Sequence, residues 1–170
     1  LDVSDPLQPD LIETVSVVAS GVLIRNGLVY ATVRGAIYVY DLTGRIRLQI
    51  LRVSDGLLTD LAAEGDHLYT IAEDGRVFSI RIQREGLKAV DSLALPGAVG
   101  SIFVGGNVLY APVLGRNGGY ATVDVSDSSN LRLISGSDVP NTDLAPGSDI
   151  ALNGSGFALL VGEVNGDNLI

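Results

Sequence analysis

The chain has 170 residues, 46% of them apolar, with 21 glycines, three phenylalanines and no tryptophan, methionine or cysteine. That length suits one domain with a real core, and so glycine-rich a composition favours short strands and tight turns over packed helices. Eleven Lys and Arg against 20 Asp and Glu give a net charge of −9, which argues against nucleic acid, and the lack of cysteine excludes disulfides, thiolate metal sites and a cysteine nucleophile.

In chain order, residues 1–18 open with Asp2-Val-Ser-Asp5-Pro6 and lead into a strand expected over Leu11–Val18. The first full unit, 21–53, holds four strands. Val22–Arg25 turns at Asn26-Gly27 into Leu28–Val33, and Arg34-Gly35 turns that strand into Ala36–Leu42. Asn-Gly between apolar runs is a hairpin signal. After Thr43-Gly44 a fourth strand alternates Arg45, Arg47 and Gln49 with Ile46, Leu48 and Ile50, the pattern of a half-exposed outer strand. The second unit, 59–95, repeats the order with Leu61–Glu64, His67–Ala72, Arg76–Ile82 and Leu87–Leu95. The third, 99–135, does so again, with Pro112 in an inner strand where a lost ladder donor predicts a bulge. A long loop, Gly136–Ser148, precedes a partial unit at 148–170. There, strands are expected at Asp149–Leu152 and Gly156–Gly162, with a turn at Asn165–Asn168.

An apolar start followed eight residues later by tyrosine recurs at Val22/Tyr30, Leu61/Tyr69 and Ile102/Tyr110, and again at Ile150, with Ala158 replacing the tyrosine. The starts at 22, 61, 102 and 150 lie 39, 41 and 48 residues apart. Four short strands per period near 40 predict the four-stranded antiparallel blade of an all-β propeller, with a sandwich or β-prism as the competing architecture. The terminal pieces are complementary. Two arrangements follow, an arc of a larger propeller, which is the expectation, or a closed four-bladed ring. With no methionine and a start in mid-pattern, the chain reads as a piece of a longer polypeptide, so any signal peptide or anchor would lie outside it. No apolar run here is long enough to cross a membrane.

Gly106-Asn107, Leu109-Tyr110 and Val123-Asp-Val-Ser-Asp127, with Asp2-Val-Ser-Asp-Pro6 near the start, resemble the blade of the LVIVD-repeat propellers. These are repeats of long secreted or surface proteins of bacteria and archaea. Ser128 stands where that blade has proline, and the first two full blades depart further, with Tyr40-Asp41-Leu42 and Ile80-Arg81-Ile82 at the same place. The resemblance implies an extracellular or cell-surface location and a propeller built on structural motifs. It brings no catalytic residue.

The chemistry is sparse. His67 is the only histidine, at a strand start after Gly65-Asp66, so neither a histidine-rich metal centre nor a catalytic triad is expected. Asp2/Asp5 and Asp124/Asp127 fit turns in which the carboxylate bonds backbone two residues on. The glycine-rich stretch 115–119 lacks the following helix of a phosphate cradle. Glu163, Asn165 and Asp167 have the spacing of the first calcium-loop ligands, yet Asn168 stands where glycine is needed, so an ordinary hairpin is preferred and no cofactor is expected.

In a propeller, the loops from each fourth strand to the next first strand share a face with the turns between second and third strands. That face would carry Asp55, Asp60, Glu73, Asp74, Arg116, Asp138, Asp143 and Asp149. Function gathers in such loops. The sequence thus reads as a non-enzymatic protein-interaction or structural module that binds a protein or glycan through this acidic face. Two alternatives stay open. One is part of a propeller enzyme with its catalytic groups elsewhere, the other a calcium-dependent adhesion module.

Overall fold

A computed structural model describes residues 7–8, 17–42, 47–98, 100–113, 119–135, 149–152, 158–164 and 167–169. The strand expected over Leu11–Val18 lies almost wholly outside them, as does the Gly136–Ser148 loop. Among the described residues there are fifteen strands and no helix. The first sheet comprises β1 (Val22–Arg25), β2 (Leu28–Val33), β3 (Ala36–Asp41) and β4 (Arg47–Arg52), paired in that order. The second comprises β5 (Leu58–Glu64), β6 (His67–Ala72), β7 (Arg76–Gln83) and β8 (Gly86–Ala94), and the third β9 (Phe103–Gly105), β10 (Val108–Val113), β11 (Gly119–Asp124) and β12 (Arg132–Ser135). A last sheet of three strands follows, β13 (Asp149–Leu152), β14 (Ala158–Val164) and β15 (Asp167–Leu169). All pairings are antiparallel between sequence neighbours, so each sheet is a simple meander.

The local chemistry explains the strands. Asn26 and Gly27 both take left-handed conformations, at φ 50° and 75°, the backbone of a tight hairpin whose twist matches its strands. Every four-stranded sheet also carries a register shift between its third and fourth strands, at Val39/Tyr40, Ser79/Ile80 and Thr122/Val123. Such bulges increase the twist of the outer strand and spoil its edge as a template for other chains.

Pro112 causes no bulge. It pairs with Tyr120 in regular register, while the pairing of β10 with β9 stops at Tyr110, so the proline sits beyond the ladder that would have needed its N–H. A second difference lies at the end of the chain. Val164 pairs with Asp167, so the third strand of the last sheet begins where a turn through Asn168 was expected.

The core lies between sheets, not within any one of them. Leu68 pairs with Ile80 and Thr70 with Phe78 on the face that meets the first sheet, where Tyr30, Ile37 and Val39 complete the cluster. On the other face Tyr69 pairs with Ser79 and Ile71 with Val77, against Val104, Leu109 and Val123 of the third sheet. Each middle sheet is therefore apolar on both faces, which accounts for runs such as Leu68–Ala72 that do not alternate. The last sheet continues the series, with β13 against β9 and β10. Among the described residues the sheets form an open succession, not a closed ring. This is the arc of a β-propeller.

Candidate functional site

On the expected binding face, the two described loops between blades are tied to the turns beside them. Val53 N and Ser54 N donate to Gly35 O at 3.0 and 3.1 Å, and Leu58 N donates to Arg34 O at 2.8 Å. One blade on, Glu73 N donates to Leu57 O and Leu95 N to Gly75 O, both at 2.9 Å. The loops thus form a platform held by backbone bonds. Asp55, Leu57, Glu73, Asp74 and Pro96 stand exposed on it, as do Arg34 and Arg76. Asp74 Oδ1 accepts from Arg76 N at 3.0 Å, and Glu73 Oε1 accepts from Leu57 N at 3.3 Å, so both carboxylates help shape the loops that carry them.

The other predicted residues scatter. Asp60 lies inside β5, and its Oδ2 accepts from Ile102 N of the next blade at 2.8 Å. Asp149 is in β13. Arg116, Asp138 and Asp143 lie outside the described residues. Glu163 is in β14 and Asp167 in β15, with Asn165 outside the described residues. The ladder sets Glu163 opposite Asn168 and Val164 opposite Asp167. Among the described residues no three His, Cys, Asp or Glu side chains gather as metal ligands.

A set of polar side chains that sequence reasoning passed over bridges neighbouring blades. Gln49 accepts from Leu87 N at 2.9 Å and donates to Leu87 O at 3.4 Å. Glu64 accepts from Gly106 N and Asn107 N at 2.7 and 3.1 Å, and Asp91 accepts from Leu131 N at 2.7 Å. These partners are 38 to 43 residues apart, one repeat period. The signal was therefore in the spacing: a carboxylate or amide one period from a turn whose N–H groups lack ladder partners.

His67 belongs to the same class. Its Nε2 lies 2.7 Å from Ser128 Oγ of the third blade and 3.2 Å from Arg81 Nε, which donates to it, while Nδ1 lies 2.7 Å from Asp66 Oδ1. The connectivity is that of a Ser-His-Asp relay. Its occupancy differs, because Arg81 shares the nitrogen lone pair that a catalytic histidine reserves for the serine. Ser128, only 6% exposed, also leaves a substrate little access to its hydroxyl. The motif around it folds as expected. Asp124 Oδ1 accepts from Ser126 N at 2.9 Å and Asp127 Oδ1 from Ser129 N at 3.0 Å, and the Ser126 bonds hold the Asp124 carboxyl below its usual range.

Away from the loop platform, a cleft of about 330 Å³ opens between the outer parts of the first two blades, lined by Leu28, Leu48, Gln49, Ile82 and Leu87 among others. Tyr30 borders this cleft, and Tyr69 lies in the seam between the second and third sheets. Both are 2% exposed, and burial, with Glu64 and Asp66 nearby, pushes the Tyr69 phenol up to about 12.

No family model matches the chain, and no curated protein does either. Solved structures do. The computationally designed Ika4 protein superposes over 91% of this chain and 90% of its own, at 17% identity and TM-score 0.64. The β-propeller domain of Cps50 (Swd1) from Myceliophteria thermophila matches 72% of this chain at 14% identity and TM-score 0.59, and the computationally designed Ika8 protein matches 85% at 17% identity and TM-score 0.61. The chain spans 41% of the Cps50 domain and 42% of Ika8. At such identities the likeness shows the fold. It is a β-propeller fold.

Proposed function

We propose that the chain is a non-enzymatic protein-interaction module of a larger secreted or cell-surface protein, and that it binds through the loop platform. The observation that carries this reading is the locking of the two described inter-blade loops to their turns, through Gly35–Ser54 and Gly75–Leu95. A preformed surface loses less ordering entropy on binding than mobile loops would. Exposed Leu57 and Pro96 beside Asp55, Glu73 and Asp74 offer an apolar contact edged with charge. The secreted or surface setting rests on the LVIVD-like blade motif.

The chain immobilised as bait should retain a protein from the secreted and surface fractions of its source cells. The combined Asp55→Lys, Glu73→Lys, Asp74→Lys variant should lose it, while Glu85→Lys, in a turn at the opposite end of the sheet, keeps it. Retention that ignores the triple change would move the site off the platform. In the same reading the Ser128–His67–Asp66 group is a clip between blades, so a fluorophosphonate probe should leave Ser128 unlabelled. Labelling that disappears in His67→Ala would make it a catalytic centre.

Calcium serves no structural role in this reading. A ligand bound to the native state alone raises the melting temperature. Added calcium should leave that temperature unchanged, and a rise of several degrees that is lost in Asp167→Ala would establish a calcium loop at Glu163–Asp167.

A further inference from the structure

The first sheet has one face packed on the second sheet and another that no described sheet covers. Leu23, Tyr30 and Ile37 pack toward the second sheet. On the opposite face the register lines up Val22, Ala31, Tyr38 and Ile50 across the four strands, with Ile24, Val29 and Tyr40 in the next row. Val22 is 60% exposed, Ile24 64% and Ile50 45%, while Ala31 in the same row is 2% exposed and Val29, Tyr38 and Tyr40 are half-buried. Such a row of apolar side chains is not the outer surface of a sheet meant to face water.

The repeat shows what the face is for. Thirty-nine residues beyond Val22 and Val29 stand Leu61 and Leu68, and 41 further stand Ile102 and Leu109. Those four are 6%, 0%, 6% and 0% exposed, and all lie in the seam with the preceding sheet. Equivalent positions of the unit thus take a preceding blade in the second and third sheets. Among the described residues the first sheet has none. Its occupant must present the trailing face of a blade, which the fourth sheet of an arc carries.

Chains of this fold differ in length: this chain covers 90% of Ika4, but only 41% of the Cps50 propeller domain and 42% of Ika8, and in those two larger chains the matched arc leaves room for about one more arc of its own size. We propose that two copies of this chain associate head to tail, the first sheet of each receiving the fourth sheet of the other about a two-fold axis. One operation then covers both end faces of both copies, and assembly stops at two. The end faces are separate from the loop platform, so either surface can be lost without the other.

Light scattering on the purified chain should give about twice 17.7 kDa. Ile24→Glu should give a folded monomer with an unchanged circular-dichroism spectrum, because the site is 64% exposed in the single chain and becomes buried only in the pair. Leu133→Glu, at a 49% exposed position on the outer strand of the third sheet, should remain dimeric. The chain has no cysteine, so Ile24→Cys introduces a single thiol. It should resist maleimide at concentrations where the dimer forms and react on dilution. A monomeric wild type, an open-ended assembly, a dimer indifferent to Ile24→Glu, or an introduced thiol equally reactive at all concentrations would each overturn the proposal.

Discussion

Replacing Gly75 with alanine should destabilise the chain by about 2–5 kcal/mol, the sum of a left-handed penalty of about 1–2 and an overpacking cost of about 1–3. Gly75 has φ 78°, and a Cβ there would fall on the carbonyl oxygen of Leu95, with Ala98 O 3.2 Å away. Two other glycines separate the causes. Gly27 has φ 75° but open space around it, so Gly27→Ala should cost only the conformational part, about 1–2 kcal/mol. Gly35 is absent from the left-handed set, yet its Cβ would fall on Ser54 O, so Gly35→Ala should show the steric part alone. At this chain length about 1 kcal/mol moves the melting temperature by about 2–4 °C, so thermal unfolding resolves all three. The order expected is Gly75→Ala worst and Gly27→Ala mildest. If Gly35→Ala proved as mild as Gly27→Ala, the loop would not be seated on the turn as described.

The same glycines show how far the sequence could be read. Asn26-Gly27 announces its hairpin because the need for left-handed backbone is local and written in two residues. Gly35 and Gly75 look equally like turn glycines, but their burial depends on a loop that returns from about 20 residues away. The repeat itself was legible, since the period and the Tyr30/Tyr69/Tyr110 series are properties of one strand pair. The candidate site was less so. Asp60 looked like a loop acid because the apolar run starts at Leu61, but β5 begins at Leu58 through a bulge. That shift carries Asp60 into the seam, onto Ile102 N. Acidic residues that clip blades and acidic residues that face solvent have the same appearance in sequence. Only the one-period spacing to their backbone partners tells them apart. Ser128 is a harder case, since its hydroxyl meets His67 from 61 residues away, which is not one period.

Tyr69→Ala should cost about 3–5 kcal/mol, the range for emptying a buried aromatic site. Tyr110→Ala should cost distinctly less, although the repeat places both tyrosines at the same position. The difference is burial. Tyr69 is 2% exposed within the seam between the second and third sheets, whereas Tyr110 is half-buried beside Phe103 and Tyr120. A sequence argument alone makes the two substitutions equivalent, so unequal losses would show that seam position, not repeat position, sets the energy. Tyr69→Phe isolates the phenol, whose pKa rises from 10.0 to about 12 through burial, with Glu64 and Asp66 adding to it. Below pH 10 the phenol is neutral folded or unfolded, and its contribution to stability is fully present. Between pH 10 and about 12 the unfolded chain ionises first and binds fewer protons, so stability falls as pH rises. Denaturant unfolding of the wild type across that window should show the decline, and Tyr69→Phe should make it shallower, leaving the part due to Tyr30, whose phenol burial also raises. An alkaline limb of the same slope in both proteins would mean that the Tyr69 phenol is solvated and the seam around it open.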